Sequence, residues 1–247
     1  MIPLAERGFG FAPGVFQYSC GVVALPGYRM ERVRFRKPVP IAAGFARIKA
    51  QLEGLGRPLT AFAACELRSP EPFTEDGFIA FNKIYAATLQ EWGIFTDGKN
   101  PVARSNVCPE IAPPAEPCFH AFTYSVVDAA APPSFVIAGN GEAKEGRSTY
   151  KESIIALGDR TQVGLSAKND KVMGEMERRM AELGVTYAQA TSVNLYTVYD
   201  PYPIIAREVI ARGAPEVGVE WHFCRPPVVG LDWEMDCRGI PLERVAV

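Results

Sequence analysis

Apolar residues recur at helical spacing in two separate stretches of the chain. In IAAGFARIKAQLEGLG (residues 41–56), Phe45, Ile48, Leu52 and Leu55 step by three, four and three, one stripe of an amphipathic helix. Met173, Met176, Met180 and Leu183 repeat that spacing in NDKVMGEMERRMAELG (169–184). Gly56 and Gly184 close the two stripes, at the left-handed position that glycine adopts most easily. A β-rich run follows each helix: LTAFAACELRS (59–69) and VTYAQATSVNLYTV (185–198). Turn clusters SPEPFTEDG and YDPYP come next, then the helical runs FIAFNKIYAATLQEWG (78–93) and IIAREVIARG (204–213). Each half ends in two strand-like runs, VARSNVCPEI and CFHAFTYSVV in the first, VGVEWHFCRP and LDWEMDCRGI in the second.

Strand-like runs also precede each first helix, FQYSCGVVAL and RMERVRFRKP in one half, SFVIAGNGEA and SIIAL in the other. The pattern therefore reads as α+β, with two tandem domains over 1–128 and 134–247 joined by VVDAAAPPS. Each domain is expected to be a mixed sheet with two helices on one face. The alternative is one large α/β domain whose helix stripes match by coincidence.

The chain has 247 residues, 48% hydrophobic and 22% charged, with a net charge of −2. This gives no electrostatic footprint for nucleic acid. No apolar run approaches the roughly 20 residues of a membrane helix, and MIPLAERGFG lacks the apolar core of a signal peptide. A cytoplasmic location is the expectation. The six cysteines form no C-x-x-C pair and there are two histidines, which argues against a structural zinc site. Free, buried thiols are expected. GNGEAKEG carries glycines near a lysine but matches neither phosphate-loop spacing, so no nucleotide site is read there.

FNKIYAATLQEWG, PVARSNV, FVIAGNGEA and DWEMDC together resemble the Rid proteins, the reactive imine deaminases also called the YjgF family. The resemblance covers most of both halves, and PVARSNV, which resembles the family's Pro-x-Arg-Ser segment, is its most specific part. It implies a chorismate-mutase-like fold and a trimer with ligand sites in clefts between neighbouring domains. The family's carboxylate-binding arginine falls on Arg104 and its helix asparagine on Asn82. Its water-positioning glutamate falls on His120 in the first half and on Glu234 in the second. The second half lacks the arginine, since its equivalent strand reads VGVEWHF. Each half thus keeps a different part of the pattern, and a working cleft is expected to combine Arg104 with residues of the other type of domain.

Read as chemistry, Arg104 offers a planar fork for a carboxylate, the alternative being a solvated strand charge. Glu234 alternates with Trp233 and Met235, which puts it on the opposite strand face, as a proton-transfer group or a solvated acid. His120 is a proton carrier or a satisfied core histidine, and His222 is a weaker case of the same choice. Ser105 is a candidate donor to developing charge. Cys108 shares a strand face with Arg104 but has no supporting nucleophile motif. The charged segment 142–153 is a solvated loop or a lid whose Arg147 or Lys151 meets a second carboxylate.

Tandem Rid-like chains of this size resemble the 2-aminomuconate deaminases of aromatic-compound breakdown. That implies hydrolysis of an enamine or imine carboxylate or dicarboxylate, with ammonia released and no metal or organic cofactor required. The assembly implied is a homotrimer of two-domain chains. The alternatives are a chorismate-hydrolysing member of the fold, usually longer, and a non-catalytic ligand-binding module.

Overall fold

The protein's structure, a computed structural model, describes residues 1–144, 150–213 and 216–246. Three short strands come first: β1 (Ile2–Leu4), β2 (Phe9–Ala12) and β3 (Gly21–Ala24). Then follow β4 (Tyr28–Pro40), α1 (Ile41–Gly54), β5 (Phe62–Arg68), α2 (Glu75–Glu91), β6 (Ala103–Pro109) and β7 (Cys118–Val127). The second half has β8 (Phe135–Gly141), a one-turn α3 (Tyr150–Ser153), α4 (Gln162–Leu183) and β9 (Ser192–Tyr196). It continues with an irregular helical segment and ends in β10 (Glu220–His222), β11 (Cys224–Arg225), β12 (Glu234–Gly239) and β13 (Leu242–Ala246).

Two mixed sheets result, in the expected α+β class. The first runs β1-β2-β3-β8-β12-β9-β10 and the second β11-β6-β5-β7-β4-β13. Helices α1 and α2 bury Phe45, Ile48, Leu52, Tyr85 and Leu89 against the second sheet. Helix α4 buries the four residues of its stripe against Val193, Leu195, Trp233 and Met235 of the first. Gly56 and Gly184 take the left-handed conformation expected of them, at φ 63° and 72°. Phe9, Phe11, Val22, Met30, Ala63, Ala103 and Ala138 form a further core that joins strands of both sheets.

Sheet membership does not follow a cut between residues 128 and 134. Strands β1–β3 join the first sheet, where β3 pairs antiparallel with β8 (Gly21 opposite Ile137). In return β11 pairs with β6, and β13 runs parallel to β4 (Leu242 opposite Glu31). Each sheet is thus completed by strands from the other half.

Three expected elements differ in detail. SIIAL is not a strand: α3 ends at Ser153, and Ile154 makes one isolated bridge to Ala143. VGVEWHFCRP is split, with β10 on β9 of the first sheet and β11 on β6 of the second. The run 204–213 is a π-turn (Ile205–Val209) between short α and 3-10 pieces. Ile204 and Val209 both enter the core, and a spacing of five suits a wider π-turn better than an α-helix. All six cysteines are free and buried. Among the described residues no helix is long and apolar enough to cross a membrane.

Candidate active site

Helix α2 starts where the Thr74 side chain accepts the Gly77 N–H, with Glu75 and Asp76 favouring its positive end. It lays Phe78, Phe81 and Tyr85 over β6. The Arg104 guanidinium carbon lies 4.8 Å from the Tyr85 ring centre, 5.3 Å from that of Tyr18, and 5.8 Å from those of Phe78 and Phe81. Aromatic faces stabilise a cation but satisfy none of its N–H groups. Arg104 is only 2% exposed, and neither Nη1 nor Nη2 has a hydrogen-bond partner among the described residues. A buried guanidinium with idle donors is costly unless an anion completes it.

These nitrogens belong to a cavity of about 170 Å³ where β6 approaches β8 across the two sheets. Arg104 and Asn106 line it from β6, Asn140 from β8, Arg179 and Glu175 from α4, and Glu234 from β12. Val228 and Leu231, with Phe78, give it an apolar wall. Asn106 Nδ2 and both amide atoms of Asn140 are buried without hydrogen-bond partners among the described residues. Idle polar atoms from both sheets thus converge on one space.

Glu234 projects from β12 on the face opposite Trp233 and Met235, which belong to the α4 core. Burial drives its carboxyl well above the usual carboxylate range, helped by Asp236 and Glu142, while Arg104 and Arg68 oppose the rise. Room for it comes from Gly139. A Cβ at that position would overlap Glu234 Oε1 and stand 3.1 Å from Ser105 Cα and Oγ. Beneath, Glu142 accepts the backbone N–H groups of Asp232 (2.6 Å) and Trp233 (3.1 Å), fixing the approach to β12. Lys168 lies 3.2 Å from both Glu142 and Asp232.

The remaining candidates fall elsewhere. Ser105 faces away from Arg104, does not line the cavity, and donates to Asp236 Oδ2 at 2.5 Å. Asn82 is buried on α2 with neither amide atom bonded among the described residues, yet it is not a cavity residue. His120 also lies outside the cavity. Burial and then Arg68 push its pKa down to about 3, with Glu66 opposing, so its imidazole is neutral near pH 7. His222 binds Asn194 Oδ1 through Nε2 at 2.9 Å and stacks on Tyr196. Burial pushes the Cys108 thiol up, and Glu234 adds to the rise, the opposite of nucleophile activation. Arg147 lies outside the described residues; Lys151 is exposed.

Sequence reasoning missed Asn140, Asn106 and Arg179. The first sits in the small-residue run AGNG. Arg179 sits on the core side of the α4 stripe, where its Nε meets Glu175 at 2.9 Å and its Nη1 donates to the Ala138 carbonyl at 3.0 Å.

A family model described as 2-aminomuconate deaminase CnbZ matches residues 1–244. The chain belongs to the 2-aminomuconate deaminase family. A 2-amino-5-chloromuconate deaminase from Comamonas testosteroni is 48% identical over 246 residues, covering 99% of this chain and 98% of that protein. Among solved structures, a chorismatase superposes with a TM-score of 0.56 over 89% of this chain and 77% of its own. At 14% identity that likeness is one of fold. The deaminase family thus supplies the class of chemistry against which the cavity is to be read.

Proposed function

We propose that this deaminase hydrolyses 2-aminomuconate or a substituted analogue such as 2-amino-5-chloromuconate, without a cofactor. One observation carries the reading: a buried guanidinium with idle N–H groups and a buried carboxyl that burial makes harder to ionise line the same cavity. Arg104 takes one substrate carboxylate through two parallel hydrogen bonds. Lys144, Lys171 and Arg179 also line the cavity and place positive charge toward the second carboxylate. The apolar wall of Val228 and Leu231 suits the carbon chain and a halogen substituent.

Glu234 carries the proton through the reaction. Its carboxyl protonates the enamine carbon, and the C=C–N unit becomes an iminium. The resulting carboxylate takes a proton from water as the water oxygen bonds to the iminium carbon. Glu234 then protonates the amino nitrogen of the carbinolamine. The C–N bond breaks, ammonia leaves, and the hydroxyl proton returns to Glu234 as the carbonyl forms. Enamine and water enter, keto acid and ammonia leave, and Glu234 is reset. Asn140 offers an acceptor for the amino N–H and Asn106 a donor for a developing oxyanion.

Incubating the purified protein with 2-aminomuconate and its 5-chloro analogue, and measuring ammonium, tests this. Release of one ammonium per substrate is expected. Arg104→Ala should lower kcat/KM at least about 100-fold. No ammonium from either compound would overturn the proposal.

A further inference from the structure

Three buried carboxyl groups, Glu142, Glu234 and Asp236, stand close together at the start of β12, and their hydrogen-bond partners divide them. Glu142 accepts two backbone N–H groups and pairs with Lys168. Asp236 accepts from Ser105 Oγ (2.5 Å), Tyr196 Oη (3.0 Å) and Asn194 Nδ2 (2.7 Å). Glu234 accepts from no group among the described residues. A buried carboxylate with several donors holds its charge; one with none keeps its proton.

The two anions do not act alike. The charge of Glu142 is balanced at 3.2 Å by Lys168. Burial and then Glu66 raise the Asp236 carboxyl from its ordinary range, and its three donors, all neutral, oppose that rise and favour the charged form. The cation nearest along its own strand, Arg238, is engaged with Glu243, and Glu66 is clamped by Arg32. Asp236 and Glu234 lie on one face of β12, two residues and so about 7 Å apart. We infer that Asp236 is a positioning residue for the reaction, a fixed anion whose field keeps Glu234 in its acid form. The inference rests on Glu234 being the proton carrier proposed above.

The other groups facing Glu234 set the limits of this effect. Arg104 from β6 and Arg68 from β5 favour its ionisation. The thiols of Cys108 and Cys224 are themselves pushed up and stay neutral. On the α4 side Arg179 is paired with Glu175. Lys144 and Lys171 line the same cavity and act in the sense of the two arginines, and Glu75 from α2 acts against them. Asp236 is the buried anion with no paired cation among the described residues, and it opposes these cations.

The network allows a clean removal of the charge. Asn194 is oriented by His222, so its Nδ2 points at Asp236 Oδ1. In Asp236→Asn the side-chain oxygen keeps that bond. The new NH2 takes the place of Oδ2, and the Ser105 and Tyr196 hydroxyls turn to accept from it.

Infrared titration of the ligand-free protein reads the proton directly. Wild type should show a protonated carboxyl band near pH 7 that is absent in Glu234→Gln. In Asp236→Asn the midpoint of that band should fall by about one to two pH units. The alkaline limb of kcat/KM should move down with it. If Asp236→Asn does not fold, Asp236→Ser serves, since it removes the charge and keeps a small hydroxyl for the same donors; a fall of the same sign is then expected. An unmoved or raised midpoint overturns the inference. A band that shifts as expected in a protein that releases no ammonium leaves the inference standing and removes the proposed reaction.

Discussion

Gly139 leaves no space for a methyl group, because a Cβ there would meet Glu234 Oε1 and the backbone of Ser105. Gly139→Ala should fold with a loss of about 1–3 kcal/mol, as overpacking usually costs. It should lose at least about 100-fold in kcat/KM because the carboxyl is displaced; thermal unfolding and steady-state kinetics check both. His120 makes a different prediction. Its folded pKa of about 3 lies below the ordinary 6.5. Between those values the unfolded chain binds a proton that the folded one does not. Stability should therefore fall as pH drops from 6.5 toward 3, by up to about 1.4 kcal/mol per pH unit. Urea unfolding of His120→Gln should show a flatter dependence in that window, with the pH profile of kcat/KM above pH 6 unchanged. Arg104 was legible through PVARSNV, and Glu234 through its alternation with Trp233 and Met235. The same alternation turns Ser105 away from Arg104, and it separates His120 from the core neighbour Phe119. Arg179 was illegible because a buried arginine looks like a polar-face residue until its Glu175 and carbonyl partners are seen.

Helix α2 is the element that holds Arg104, since three of the four rings around the guanidinium come from it. Its N-terminus depends on Thr74, the side-chain acceptor for Gly77 N–H. Thr74→Ala should cost about 1 kcal/mol in urea unfolding. It should also raise KM more than it lowers kcat, because the cage is loosened and the proton carrier is untouched. Helices α1 and α2 were readable from residues 41–93 because apolar spacing and capping residues agreed. The start of α4 was not, since QVGLSAK places Gly164 and Ser166 in the first turns; the Thr161 cap marks it instead. The segment 202–212 escaped for another reason. The run 204–213 reads as one regular helix, and nothing in its apolar spacing marks the π-turn that carries both Ile204 and Val209 into the core. The split of β10 from β11 was equally hidden, because one continuous strand-like run serves two sheets.

At the scale of the molecule, the repeated element order was visible but the crossing of strands was not. Pairing partners more than a hundred residues apart leave no local mark on a sequence. Because each sheet borrows strands from the other half, unfolding should be one cooperative transition in calorimetry. Fragments 1–128 and 134–247 expressed alone should lack that transition. Two resolved transitions in the whole chain would show the sheets to be independent. Trp221 on the edge strand β10 and Phe223, between β10 and β11, are half exposed, and they are where the trimer implied by the Rid resemblance would first be sought. Light scattering should then give three times 27.0 kDa.

The borrowed strands also impose an order in time. On the ribosome, β3 waits for β8, since Gly21 pairs with Ile137. At roughly 5–20 residues per second that wait is about 6–23 s. The outer edge of β4 stays open until β13, the last strand to be made, has emerged. The nascent chain therefore exposes unpaired strand edges through most of its synthesis, and its yield in cells should depend on holdase chaperones more than its final stability suggests.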